Sequence, residues 1–218
     1  MLKILITTVP FGDKNRRPLE LLENSSVNFL INPLNKKLTE DELSEMVSDV
    51  DIIIAGTEPI TRKVMENAPK LKMISRVGIG LDSVDLLEAR RRGIIVSYTP
   101  DAPTPAVSEL TIGLMLSLLR SVQVSNIEMH NGRWYRFFGR RLSEVTIGII
   151  GVGRIGLGVL KHLQGFGPLK ILLNDVTPNF KSALDGNIEW TDKDTIYRQA
   201  DIITIHTPLT VKTKNMIK

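Results

Sequence analysis

Three glycines at G-x-G-x-x-G spacing, Gly151, Gly153 and Gly156, follow an apolar run from Val145 to Ile150. The run reads as a buried strand and the glycines as a turn that opens a helix. Such a turn brings backbone N–H groups and the positive end of a helix dipole against the phosphates of a dinucleotide. Gly151 would permit the tight turn, Gly153 the approach of a pyrophosphate, and Gly156 close packing of helix on strand. Taken alone, the spacing also fits an ordinary glycine-containing turn. A second apolar run, Leu169–Leu173, ends in Asn174-Asp175. Asp175 lies 19 positions after Gly156, close to the roughly 20 expected of an acid that accepts hydrogen bonds from an adenosine ribose. A carboxylate there repels a 2′-phosphate, which favours NAD over NADP.

A second glycine-rich stretch, Arg76-Val77-Gly78-Ile79-Gly80-Leu81-Asp82, follows the apolar run Lys72–Arg76 and precedes a helical pattern. Its freed backbone suits a small anion held by N–H groups. It equally suits a structural turn that needs positive φ. Asp82 reads as the N-cap of the helix that follows, with Asp85 three residues on as an imperfect capping box.

The elements that must position these turns alternate. Strands are expected at Leu2–Thr7, Val27–Ile31, Asp51–Ala55, Lys72–Arg76 and Ile94–Ser97. Helices are expected around Leu19–Glu23, Thr39–Val47, Thr61–Asn67 and Ser83–Arg92. That alternation predicts a parallel sheet with right-handed crossovers, and ligands then sit off the carboxyl ends of the strands. The loops Val9–Pro18, Ala55–Pro59 and Arg76–Asp82 lie there. Pro100, Pro103 and Pro105 make a stiff connector and mark a domain boundary, giving domains 1–100 and 101–218. Thr104 reads as the cap of a helix with Pro105 at its first position. From Ala106 to Val124 this helix is apolar nearly all round, so several of its sides should be covered. After Asp175, a helix at Lys193–Gln199 and a third strand at Ala200–His206 are expected, then the start of another helix over Val211–Lys218.

Composition narrows the function. The chain has 218 residues, 42% of them hydrophobic, and a formal charge of +4 from 28 basic and 24 acidic side chains. No apolar run reaches the about 18 residues of a membrane span, and Met1-Leu2-Lys3-Ile4 does not read as a signal peptide. With no cysteine, thiolate metal sites and cysteine nucleophiles are excluded, and no metal site is expected. A cytoplasmic location fits. Arg90-Arg91-Arg92 reads as a solvated helix end, so neither nucleic acid nor membrane is expected as a partner.

Together the motifs resemble a family. Arg76 to Asp85, Gly93-Ile94, the threonine-capped helix with Ser108-Glu109-Leu110, Gly132-Arg133-Trp134, Gly148 to Gly156, and Ala200-Asp201 through His206-Thr207-Pro208-Leu209-Thr210 occur in the order found in the D-isomer-specific 2-hydroxyacid dehydrogenases. The flavour is closest to phosphoglycerate dehydrogenase-like members. The resemblance implies an α/β protein: a flavodoxin-like substrate domain followed by the first half of a Rossmann NAD-binding domain. It implies hydride transfer between NAD and a small 2-hydroxy or 2-keto acid. By the same resemblance Arg76, Val77 and Gly78 would meet the substrate, Val77 and Gly78 through backbone N–H groups to its carboxylate. Thr104, Gly151, Gly153, Arg154, Ile155 and Gly156 would lie along the cofactor's phosphates, Asp175 at its ribose, and His206, Thr207 and Pro208 along the cleft. The helix from Ala106 would build a homodimer.

The family's catalytic Arg, Glu and His lie beyond the Thr-Pro-Leu-Thr motif, hence beyond Lys218, and none of His130, His162 or His206 matches the family's base. Only three strands of the second sheet are expected, which leaves Thr146–Ile150 as a bare, aggregation-prone edge. The chain therefore reads as a fragment that binds NAD weakly and does not turn over. The alternative is a non-catalytic NAD-binding regulatory protein, like the family's corepressors. The substrate's side chain is left open, although Lys14, Arg16 and Arg17 could favour a phosphorylated acid.

Overall fold

A computed structural model of the chain describes residues 1–177 and 187–217. It divides into two compact units, Met1–Ala102 and Pro103–Lys218, each with its own parallel sheet.

The first unit runs β1 (Leu2–Ile6), α1 (Arg17–Glu23), β2 (Val27–Ile31), α2 (Glu40–Met46), β3 (Ile52–Ala55), α3 (Arg62–Glu66), β4 (Met73–Arg76), α4 (Leu86–Arg91) and β5 (Ile95–Tyr98). The strands are all parallel, in the order β2-β1-β3-β4-β5. This is the flavodoxin-like order, and it reverses between β1 and β3. Alternation along β1 explains why both faces are covered. Leu5 joins Leu43, Ile53, Val64 and Ile74 on one side, while Ile4 and Ile6 pack with Leu19 of α1 on the other. Thr39 and Glu42 close a reciprocal capping box at the start of α2.

The cap of α4 is Asp85, which accepts the Glu88 N–H at 2.9 Å, and not Asp82 as expected. The reason is non-local. Ile60 N–H donates to Ser83 O and accepts through its own carbonyl from Asp85 N–H, at 2.7 and 3.0 Å. This isolated parallel bridge holds residues 83–85 extended, so the helix starts later.

The second unit runs α5 (Thr104–Leu119), α6 (Val122–His130), β6 (Thr146–Ile150), α7 (Arg154–Leu163), β7 (Lys170–Asn174), β8 (Asn187–Trp190), α8 (Lys193–Gln199) and β9 (Ile202–Ile205). Its order is β8-β7-β6-β9. This corrects two expectations. The third strand is the short β8, paired with β7, and the segment at 202–205 is a fourth strand. It runs beside β6, so β6 is interior: Ile147 and Ile149 are fully buried. The bare edge falls on β9 instead, where Ile203 and Ile205 are exposed.

Further differences concern the helices. The long apolar helix is two, bent by 65°. Ser121 takes φ +51°, and Arg140 N–H occupies Leu119 O at 3.1 Å, so the first helix cannot continue. Thr104 is not the cap of α5 but its first residue, with Pro103 before it; its Oγ1 is buried and unpartnered among the described residues. Residues 211–215 form a turn rather than a helix start, because the Thr213 hydroxyl bonds Pro208 O at 2.6 Å and Thr210 and Thr213 bond each other. Lys218 lies outside the described residues. No single described helix is long and apolar enough to cross a membrane.

Candidate functional site

In the second unit the strand order reverses between β6 and β9, which is where an open parallel sheet leaves a crevice for a ligand. The glycine turn sits at that point. Gly151 has φ +92°, and a Cβ there would come within 2.6 Å of His206 O at the end of β9. Its N–H donates to Asn174 O at 2.8 Å, tying the turn to β7. A Cβ on Gly156 would lie 2.1 Å from Gly151 O, so only glycine lets the helix pack this close. Gly153 behaves differently: a Cβ there would meet nothing within 4 Å. It precedes α7 with no side chain capping the helix. Open space thus lies against uncapped N–H groups at the positive end of a ten-residue helix, a fit to a diphosphate.

Asp175 completes this turn. Its carboxylate accepts the Val152 N–H at 2.7 Å and the Thr177 N–H at 3.0 Å. Burial works against its charge, yet the bonds from Thr177 and Val152 outweigh that and hold its pKa below the ordinary carboxylate value. The acid stays ionised and fixed one residue from Gly153. Arg154 is an exposed residue of the first turn of α7, and Ile155 packs partly into the core. Thr104 comes beside them because the Ser108 hydroxyl lies 2.8 Å from Thr104 O and 3.2 Å from Ile155 O. His206 donates its N–H to Ile150 O at 2.8 Å, and its ring Nε2 lies 2.9 Å from Thr204 Oγ1. Burial lowers its pKa, so the ring is neutral near pH 7. Thr207 and Pro208 follow directly and line an open depression of about 300 Å³ with Ile205 and Met216.

In the first unit, the loop after β4 differs from the reading of Val77 and Gly78 as open donors. Val77 N–H donates to Ala55 O at 2.8 Å, one more rung between the ends of β3 and β4. Gly78, at φ +140°, donates to Thr99 Oγ1 at 2.8 Å. Among the described residues the N–H groups of Ile79 and Gly80, like those of Leu81 and Asp82 after them, meet no acceptor, and Ile79 and Gly80 are the pair next to the strand end. Arg76, whose guanidinium lies against Gly78, is only 8% exposed. Its guanidinium bonds Val77 O, its Nε is buried without a partner, and no carboxylate pairs with it among the described residues. A buried cation without a carboxylate partner, in the same loop as free N–H groups, is suited to an anion.

One further charged residue carries no motif in the sequence. Glu58, in the Ala55–Pro59 loop, is 2% exposed. The other buried acid among the described residues, Glu88, is bound by Arg91 and Arg92 and has its pKa lowered to about 2. Among the described residues, no group of three or more His, Asp and Glu is placed to hold a metal.

Residues 112–218 match the profile of the D-isomer specific 2-hydroxyacid dehydrogenase NAD-binding domain, whose cofactor is NAD. Over 184 residues the chain is 40% identical to a D-3-phosphoglycerate dehydrogenase of Methanocaldococcus jannaschii, covering 83% of this chain and 35% of that protein. It is 36% identical to a hydroxypyruvate reductase of Thermotoga maritima over 186 residues, 84% of this chain and 60% of the relative. Among solved structures, the TT0316 protein from Thermus thermophilus superposes with a TM-score of 0.85 at 29% identity, covering 99% of this chain and 68% of that one. The chain thus spans between about a third and three fifths of these curated relatives.

Proposed function

The chain belongs to the D-isomer specific 2-hydroxyacid dehydrogenase family, and from that premise we propose that it holds NAD in the second unit and a small 2-hydroxy or 2-keto acid in the first. The observation that carries this reading is the bond from Val152 N–H to Asp175. It fixes an ionised acid against the open face of Gly153, so diphosphate and ribose can be met at once. NAD, when bound, supplies the acceptor or donor of a hydride. The uncapped N–H groups of α7 hold the diphosphate, and Asp175 accepts from the ribose hydroxyls and repels a 2′-phosphate. Ile79 and Gly80 donate to the acid's carboxylate, and Arg76 supplies a positive charge beneath it.

All three histidines lie in the second unit, and two have partners: His130 Nδ1 is 2.9 Å from Asn126 O, and His206 Nε2 meets Thr204. None takes the part of a general base in this reading, so binding without turnover is the behaviour proposed for these 218 residues. We also propose a homodimer through α5, supported by the exposed apolar row Leu110, Leu114 and Leu118.

Calorimetric titration of the chain with NADH and NADPH tests the cofactor reading. NADH should bind at least about tenfold more tightly, as one unrelieved charge repulsion of about 1.4 kcal/mol gives. No heat with NADH, or equal affinity for NADPH, refutes it. A spectrophotometric assay with NADH and glyoxylate or hydroxypyruvate tests the second part: robust turnover overturns the binding-only reading.

A further inference from the structure

Glu58 is a buried carboxylate without a cation. Its Oε1 accepts the Gly56 N–H at 2.8 Å and meets the Thr7 hydroxyl, whose one proton is shared with Ile54 O at 3.1 Å; among the described residues Oε2 accepts nothing. No lysine or arginine pairs with it among the described residues. Oε2 is not one of the buried atoms left without a partner, so this oxygen keeps an opening where a donor can answer it.

Its position says what that is. Thr7 follows β1 and Gly56 follows β3, the two strands between which the order of the first sheet reverses. The carboxylate therefore spans the carboxyl-end crevice of the substrate unit. A Cβ on Gly56 would lie 2.8 Å from Oε2 and 3.1 Å from Thr8 Cα, so the glycine leaves room for the carboxylate there. The crevice also adjoins the anion loop. Ala55, three residues before Glu58, accepts the Val77 N–H that anchors that loop. Two buried charged residues thus stand at the carboxyl ends of neighbouring strands: Arg76 closes β4, and Glu58 follows β3.

We infer that Glu58 is the specificity-determining residue of this site, admitting a 2-hydroxy or 2-keto acid whose tail is short and uncharged and rejecting one whose tail is phosphorylated. The inference rests on the reading of Ile79 and Gly80 as the carboxylate donors. A single carboxylate on the ligand is answered by Arg76. A phosphate on the next carbons adds nearly two negative charges beside a carboxylate that has no counter-ion. A hydroxyl tail instead offers a donor to the unused Oε2. The opposing effect comes from Lys14, Arg16 and Arg17. These cations are exposed, and Arg16 is paired with Glu23, so solvent and salt weaken their pull far more than they weaken a buried charge.

The experiment uses the ¹⁵N-labelled 218-residue chain titrated with D-glycerate and, separately, with 3-phospho-D-glycerate, following the Ile79 and Gly80 amide resonances. D-glycerate should bind at least about tenfold more tightly, and E58Q, which keeps an acceptor for Thr7 and Gly56 but removes the charge, should narrow the gap to about threefold. E58T serves if E58Q loses the folded spectrum. Equal or tighter binding of phosphoglycerate by the unaltered chain overturns the inference while leaving the carboxylate site standing. An unchanged preference in a folded Glu58 variant also overturns it. If neither ligand moves Ile79 or Gly80, the carboxylate site itself fails, and the inference fails with it.

Discussion

Substitution of alanine at two glycines three residues apart should separate the architecture of the cofactor turn from its function. In G156A the new Cβ would lie 2.1 Å from Gly151 O, a backbone atom that cannot swing aside. Gly151 is itself held at φ +92° with its N–H on Asn174, so relief requires β6 and α7 to separate. Overpacking of this kind costs about 1–3 kcal/mol. For a unit of just over 100 residues, that is a fall in melting temperature of roughly 4–12 °C. In G153A the added Cβ meets no protein atom within 4 Å, and φ is −80°, which alanine accepts. Its stability should stay within about 1 kcal/mol of the unaltered chain. What G153A loses is the space against the helix N-terminus. Blocking one charge-assisted bond of about 1.5–3 kcal/mol should weaken NADH by roughly ten- to a hundredfold. Scanning calorimetry and isothermal titration on both variants provide the test. If G153A binds NADH as tightly as the parent, the diphosphate does not lie there. If G156A melts at the parental temperature, the close approach is not structural.

Three other outcomes follow from the same structure. D175A should weaken NADH and bring NADPH to within about threefold of it, since both the ribose acceptor and the repelling charge are gone; persistent discrimination by titration would place selection elsewhere. The pKa of Glu88 is lowered to about 2 by hydrogen bonds to Arg91 and Arg92, from an ordinary 4.5. Its contribution is complete above 4.5 and is lost as pH falls from there towards 2, so acid melting curves of E88Q should converge on those of the parent across that window. L114E combined with L118E should give a monomer by sedimentation if α5 forms the dimer, and an unchanged sedimentation coefficient would refute that interface.

Much of this fold is legible in the sequence because strands buried on both faces are written as short apolar runs. Val27–Ile31 is readable residue for residue, and the other strands of the first sheet within two residues. What escapes is set by partners distant in the chain. The short β8 carries only Ile188 and Trp190 as apolar residues, at alternating positions along one edge, which is too little to stand out. The placement of β9 beside β6 is a matter of strand order, to which no local pattern is bound. Val77 and Gly78 look open in sequence because their acceptors, Ala55 O and Thr99 Oγ1, each lie more than 20 residues away. Glu58 passes for a loop acid because its burial depends on Thr7, 51 residues earlier.

The contact between Gly151 and the end of β9 orders the assembly of the cofactor site in time. The turn leans on His206 O, 55 residues further along the chain, and His206 N–H closes back onto Ile150 O. As the chain is synthesised, strand, glycines and Asp175 are all made before the segment that braces them. A competent turn must wait for residues 202–206 to pair with β6, a non-local closure of the kind that slows folding. NAD affinity should then report on the docking of that last strand, and bound NAD should in turn hold it in place by mass action. Cofactor and edge strand are, in this sense, each the other's ligand.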